Sequence, residues 1–245
     1  MGGRVRLDVL VVDRGLAASR ERAQRLILAG SVLAGELPAT KPGALVAADT
    51  PLRLRASGSA YVSRGGDKLA GALDAFAIDP AGRTALDVGA STGGFSDCLL
   101  QRGARRVVAL DVGYGQLAWS LRQDPRVVVI ERANVRHLEP ADLPEAPDLV
   151  TVDVSFISLT LVLPAIARVV APGSPLVALV KPQFEAGRGQ VGKGGVVRDD
   201  AVRGAAVARV RAAADALGFT VRGEIESVLP GPKGNREVFL WLQAP

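Results

Sequence analysis

The chain has 245 residues, 48% apolar and 22% charged, with a net charge of +5, enough to bury a sizeable core in one large domain or a small and a medium one. A single cysteine, Cys98, excludes an internal disulfide, and a single histidine, His137 in a polar stretch, leaves too few ligands for a structural zinc site, so no metal is expected. The longest uncharged stretch, residues 154–167, contains Pro164 and falls short of the ~20 apolar residues of a spanning helix, while the first fifteen residues carry charges inside their apolar run, unlike a signal peptide. A soluble, cytoplasmic protein is expected.

Residues 1–60 hold nine Lys/Arg against five Asp/Glu, so nearly all the net charge sits in the first quarter of the chain. A small basic module ahead of a near-neutral one points to polyanion binding. Arg6 to Arg14 carries an apolar stripe (Leu7, Leu10, Val11) and stops at Gly15, which predicts a helix. Ser19 is the expected N-cap of a second helix running through Ala29 to Gly30. Short strands are expected at Val32 to Ala34 and Leu52 to Arg55, with turn signals at Pro38 and Pro42-Gly43. The pattern Arg6-Leu7-Asp8, Ser19-Arg20, Ala23, Ile27 and Gly30-Ser31-Val32 resembles the S-four (αL) RNA-binding domain. That resemblance implies a small α+β domain meeting the phosphates of folded RNA, with Arg6, Ser19, Arg20 and Arg25 as its RNA-binding residues.

Ala56 to Ala60 is a run of small residues suited to a linker, and a new unit opens near Tyr61. The expected division is residues 1–58, a linker at 59–63, and a second domain over 64–245. In that second domain strands and helices alternate. Strands are expected at Thr84 to Val88, Arg106 to Asp111, Val127 to Ile130, Leu149 to Asp153 and Leu176 to Lys181. Helices are expected after Gly94, over Ser158 to Val170 and over Asp199 to Leu217, followed by a closing hairpin at Thr220 to Ser227 and Glu237 to Leu242. The alternation predicts an α/β fold, a doubly wound and mostly parallel sheet.

The glycines of Asp87-Val88-Gly89-Ala90-Ser91-Thr92-Gly93-Gly94-Phe95 follow the first of these strands and let backbone approach a ligand closely. Asp111 ends the next strand, at the ~20-residue separation from which an acid meets a ribose hydroxyl. Together they imply an adenosine-containing cofactor, and the spacing leaves NAD and S-adenosylmethionine both open.

Five motifs, spread in order along the chain, carry a closer resemblance. They are Ser63-Arg64-Gly65-Gly66-Asp67-Lys68-Leu69, the glycine loop, Val152-Asp153-Val154-Ser155-Phe156-Ile157-Ser158, Lys181-Pro182-Gln183-Phe184-Glu185 and Gly234-Asn235-Arg236-Glu237. All resemble the TlyA, or haemolysin A, family, in which an S-four domain precedes an FtsJ-like, Rossmann-like methyltransferase domain. One departure is Ala133 in Glu131-Arg132-Ala133-Asn134, where threonine is expected. The resemblance implies S-adenosylmethionine-dependent 2′-O-methylation of cytidine in ribosomal RNA of the small subunit and, in some members, the large one. It implies ribosomal RNA and subunits as partners, with no membrane and no protein partner. It also places a Lys-Asp-Lys-Glu tetrad on Lys68, Asp153, Lys181 and Glu237, with Lys181 as base, Lys68 beside it and the carboxylates orienting both. Only five of the thirty basic residues are lysines, and two fall in this tetrad, where arginine would fail because a guanidinium keeps its proton. Under the same resemblance the cofactor lies over Gly89, Ser91, Gly93 and Phe95, with Asp111 on its ribose and Asn134 near its adenine. Arg64 and the glycine-rich loop at 188–195 are expected to steer RNA. A ribosome-assembly factor with a vestigial methyltransferase fold is the alternative, and a membrane-lytic haemolysin a remote one.

Overall fold

The computed structural model describes residues 4–28, 30–35, 37–39, 41–54, 60–187 and 189–245. Ser59 of the expected linker, most of the small-residue run before it, and Arg188 of the steering loop lie outside the described residues. The chain divides into two compact units, residues 1–58 and 59–245.

The first unit runs β1 (Arg4–Arg6), α1 (Leu7–Asp13), α2 (Arg20–Leu28), β2 (Val32–Ala34), β3 (Leu37–Pro38), β4 (Leu45–Ala47) and β5 (Leu52–Leu54). Leu7 and Val11 of α1 meet Ala23 and Ile27 of α2 over Val32, a small apolar core formed by the stripes seen in the sequence. Ser19 Oγ accepts from the Arg22 amide at 3.2 Å, so the capping residue does open α2. β1 pairs antiparallel with β4, and β2 with both β3 and β5. The β1–β4 pair was not expected: each strand is three residues long and shows no alternation of apolar and polar positions long enough to read.

The second unit contains α3 (Arg64–Phe76), β6 (Thr84–Val88), α4 (Gly94–Gln101), β7 (Arg106–Leu110), α5 (Trp119–Arg122), β8 (Val127–Ile130), β9 (Leu149–Val152), α6 (Leu163–Val169), β10 (Pro175–Val180), α7 (Pro182–Glu185), α8 (Asp200–Ala216), β11 (Thr220–Glu226) and β12 (Val238–Gln243). Seven strands form one sheet in the order β11-β12-β10-β9-β6-β7-β8, parallel except for the antiparallel β12 and its two neighbours. Apolar residues of α3 and α4 cover one face, and those of α6 and α8 the other. From β6 the chain winds outward through β7 and β8, then returns to place β9 on the other side of β6. That reversal makes the carboxyl ends of β6 and β9 the switch point at which doubly wound sheets open a crevice for ligands.

Two local differences from expectation have clear causes. Helix α3 contains Gly65, Gly66 and Gly71, poor helix formers, yet a Cβ at Gly66 would sit 2.3 Å from Tyr61 and one at Gly71 would sit 2.8 Å from Val228. Close packing therefore requires the glycines that obscure the helix in the sequence. The expected helix at 158–170 is a 3-10 turn, Leu159–Leu161, followed by the shorter α6, because Pro164 fits only a first helical turn.

Candidate active site

Asp153 follows β9, Lys181 follows β10 and Glu237 precedes β12, so three members of the proposed tetrad occupy neighbouring strand ends. The pairing of Val180 with Val238 brings the backbones of Lys181 and Glu237 alongside each other. The fourth, Lys68, projects from α3, and its Nζ lies 2.5 Å from Glu237 Oε2. Both side chains are buried, 9% and 1% exposed, while Glu237 Oε1 has no hydrogen-bond partner among the described residues. Lys181 Nζ lies 2.6 Å from Asp153 Oδ1 and donates to Ser155 Oγ at 2.9 Å. The tetrad is thus two lysine–carboxylate pairs: Lys68 hydrogen-bonds Glu237, while Lys181 lies close to Asp153 Oδ1 without a hydrogen bond to it.

The glycine loop runs against this group. Gly89 has φ +87°, and a Cβ there would fall 2.6 Å from the Asp153 carbonyl oxygen, so only glycine lets the loop pass the end of β9. Beneath it Asp87 is buried, accepting from Ser96 Oγ at 2.6 Å and Thr151 Oγ1 at 3.3 Å, and burial pushes its carboxyl up to about 7. Asp111 accepts from the Ser91 amide at 2.8 Å and the Gly113 amide at 2.6 Å. A small cleft opens here, lined by Ala90, Asp111, Gln116, Leu117, Val129 and Glu131 among others.

Three of the expected cofactor residues have other engagements. Phe95 is buried against Phe239, with ring centroids 6.1 Å apart. Gly93 has φ +96° and opens α4, where a Cβ would strike Leu121. Asn134 Oδ1 accepts from the Arg136 amide at 3.1 Å, capping a 3-10 turn.

Next to Lys181, Phe156 is 91% exposed, adopts φ +64°, and packs on Phe184 with ring centroids 5.0 Å apart. A large aromatic side chain left in water on a left-handed backbone carries a cost, which makes Phe156 a candidate for contact with a ligand. Phe156 and Phe184 lie within the motifs at 152–158 and 181–185, but their roles are not legible there, because exposure and φ are not written in residue order.

In the first unit Arg6 and Arg20 converge on the buried Asp8. Arg6 donates through Nε and Nη2 at 3.0 and 2.9 Å, Arg20 through Nε at 3.0 Å, and Gln24 through Nε2 at 2.8 Å. The Arg6 hydrogen bonds lead in holding the Asp8 carboxyl well below the usual carboxylate range, with help from Gln24 and Arg20. Both guanidiniums stay about half exposed, so they are fixed in direction yet open to an anion. Arg25 pairs with Glu21 at 3.5 Å on the surface, a contact of little energetic weight. Arg64 begins α3 and donates to the Pro230 carbonyl at 3.4 Å. The part of the steering loop that is described is stapled at its end by the buried Asn235, which donates to the Gly195 carbonyl at 2.8 Å and accepts from the Val197 amide at 2.9 Å.

Asp8→Asn is expected to destabilise the first unit by about 2 kcal/mol, as one anionic acceptor is lost to two arginines. The sign with pH follows from the lowered carboxyl: Asp8 contributes fully above its ordinary value of 3.8, and the contribution shrinks progressively as pH falls below it toward the carboxyl's much lower folded value. Urea unfolding of wild type and Asp8→Asn from pH 3 to 7 measures both, and curves that stay equally spaced on acidification would contradict it.

An FtsJ-like methyltransferase model matches residues 61–244 and an S4 domain model matches residues 5–50. The chain is 55% identical to the 16S/23S rRNA (cytidine-2′-O)-methyltransferase TlyA of Mycobacterium tuberculosis, over 99% of this chain and 91% of that one. The chain belongs to the TlyA family of FtsJ-like methyltransferases. Hemolysin A of Brachyspira hyodysenteriae is 41% identical over 95% of this chain and 97% of its own. A solved structure from Streptococcus thermophilus, provisionally described as a hemolysin, superposes with a TM-score of 0.78 at 43% identity, covering 100% of this chain and 90% of that chain. Among the described residues no helix is long and apolar enough to cross a membrane.

A TlyA-family methyltransferase takes its methyl group from S-adenosylmethionine, and the cleft suits that donor. The Asp111 carboxylate occupies the Ser91 amide that a phosphate would need, and Glu131, which accepts from the Gly115 amide at 2.8 Å, is already paired with Arg122. Unpaired among the described residues, the Asp111 carboxylate on the loop amide suits a ribose hydroxyl better than the pyrophosphate of NAD.

Proposed function

We propose that this methyltransferase modifies the 2′-hydroxyl of a cytidine in ribosomal RNA, with the small subunit as first substrate and the large subunit as a second, and that it works in the cytoplasm. The observation that carries this reading is the pair of lysine–carboxylate couples at the switch point, directly against the Gly89 loop. The first unit supplies RNA affinity through Arg6 and Arg20, with Ser19 shaping α2 and Arg25 extending the basic face; Arg64 adds to this from α3. Gly89, Ser91, Gly93 and Asp111 hold the cofactor, Phe95 supports the loop from the core, and the Asn134 turn borders the adenine.

S-adenosylmethionine supplies a methyl group activated by positively charged sulfur. A ribose hydroxyl attacks it poorly until its proton has somewhere to go. Lys181 in its amine form takes that proton, and Asp153, 2.6 Å away, stabilises the ammonium as it forms. Ser155 fixes the amine by its hydroxyl. Lys68, held by Glu237, keeps N–H donors free for the sugar oxygens, and the unpaired Glu237 Oε1 adds a buried acceptor. Phe156 offers a face on which the target base stacks once it leaves its helix.

Radiolabelled transfer to purified, unmethylated ribosomal subunits tests the function: label in 2′-O-methylcytidine is expected, and the labelled subunit names the substrate. No label on any RNA, despite measurable cofactor binding, would replace this reading with an assembly role. Phe156→Ala is expected to cut transfer about tenfold or more, from the loss of ~1–3 kcal/mol of stacking, with an unchanged melting temperature. A drop in melting temperature that accounts for the lost activity would assign Phe156 to the fold instead.

A further inference from the structure

Glu185 has no part in the chemistry above, yet it joins the two motifs that carry it. Its side chain is buried, Oε2 accepts from Ser158 Oγ at 2.6 Å and Oε1 accepts from the Leu159 amide at 2.7 Å. The carboxylate therefore fastens the end of the Asp153–Ser158 loop to the segment that starts at Lys181. Arg209 of α8 donates to the Glu185 carbonyl at 2.8 Å, anchoring the fastener in turn.

The other end of the loop is fixed as well, by the Asp153 amide on the Val88 carbonyl at 2.9 Å and by the Lys181 pair. Between the two clamps lies Phe156 at φ +64°, a backbone state that costs ~1–3 kcal/mol and persists only where its surroundings impose it. Phe184, the ring under Phe156, is the residue next to Glu185. Burial also raises the Glu185 carboxyl above its ordinary value, a penalty that an end cap for a three-residue 3-10 turn does not require.

We propose that Glu185 is a positioning residue for the substrate nucleotide: its carboxylate holds the Ser155–Phe156 turn in the strained form that presents Phe156 to the base. The inference rests on the assignment of Phe156 to the target base. RNA affinity comes mainly from phosphate contacts, so a misplaced Phe156 affects how often a bound nucleotide reacts rather than how tightly the RNA is held.

The test is a mutant cycle of Glu185→Gln and Phe156→Ala, read as kcat and KM for unmethylated ribosomal subunits, with cofactor affinity and melting temperature measured on each variant. Glu185→Gln keeps one acceptor oxygen and is expected to lower kcat about 10- to 100-fold, as small misplacements near the chemistry do, with KM for RNA and cofactor affinity within about twofold of wild type. On the Phe156→Ala background the same change is expected to alter kcat less than about twofold, because the ring it positions is gone. Hydrogen exchange across residues 155–159 is expected to speed up in Glu185→Gln. Additive losses in the cycle would overturn the inference, as would cofactor affinity or melting temperature falling in step with activity. Ser158→Ala removes one of the two contacts and should reproduce the pattern more weakly; loss of fold in both variants would make Glu185 purely structural and also overturn it. Wild type that transfers no label would sink the functional reading, whereas active wild type with an unchanged Glu185→Gln would sink this inference alone.

Discussion

Replacing Lys181 with arginine is expected to reduce methyl transfer about 10²- to 10⁴-fold while leaving cofactor binding intact. Arginine keeps the positive charge and can still meet Asp153 and Ser155, the two partners that Lys181 has at 2.6 and 2.9 Å. What it cannot do is surrender a proton, since a guanidinium stays protonated in proteins. The substitution therefore removes basicity and little else. Isothermal titration with S-adenosylmethionine and a radiolabel assay on ribosomal subunits measure the two properties separately. Turnover within tenfold of wild type would remove Lys181 from the role of base and leave it an electrostatic support.

How far the residues alone could lead depends on how local each feature is. The parallel sheet follows from runs such as Leu149 to Val152 and Pro175 to Val180, buried throughout or nearly so, and apolar runs of that kind are visible in one dimension. The glycine loop and Asp111 are likewise set by neighbours in sequence and a fixed separation. Helix α3 escaped because its glycines answer to Tyr61 and Val228, a demand of packing that propensity does not contain. Lys68 and Glu237 lie 169 residues apart, and only family motifs, not spacing, placed them in one group. Glu185 and Phe156 stand inside quoted motifs, but the carboxylate's partners and the ring's exposure arise from folding two motifs against each other. Asp8 is similar: the sequence marks Arg6 and Arg20 as basic, whereas the buried acid that aims both of them becomes evident only once α1 packs on α2.

Lys68→Met is expected to destabilise the second unit by about 3–5 kcal/mol and abolish transfer, because it leaves the Glu237 carboxylate buried without its cation. The double variant Lys68→Met/Glu237→Leu separates the two effects. Apolar side chains of similar size often replace a buried ion pair with little loss, so the double variant should recover most of the stability. Transfer should stay absent, because neither the ammonium donors nor the acid that holds them survive. The pair itself argues for this outcome: one Glu237 oxygen has no partner among the described residues, and an ion pair retained for stability alone would be expected to satisfy both. Urea unfolding followed by the radiolabel assay on the same preparations decides the matter. A double variant that regains both stability and transfer would show the pair to be a structural fastener, and the chemistry would then rest on Lys181 and Asp153 alone.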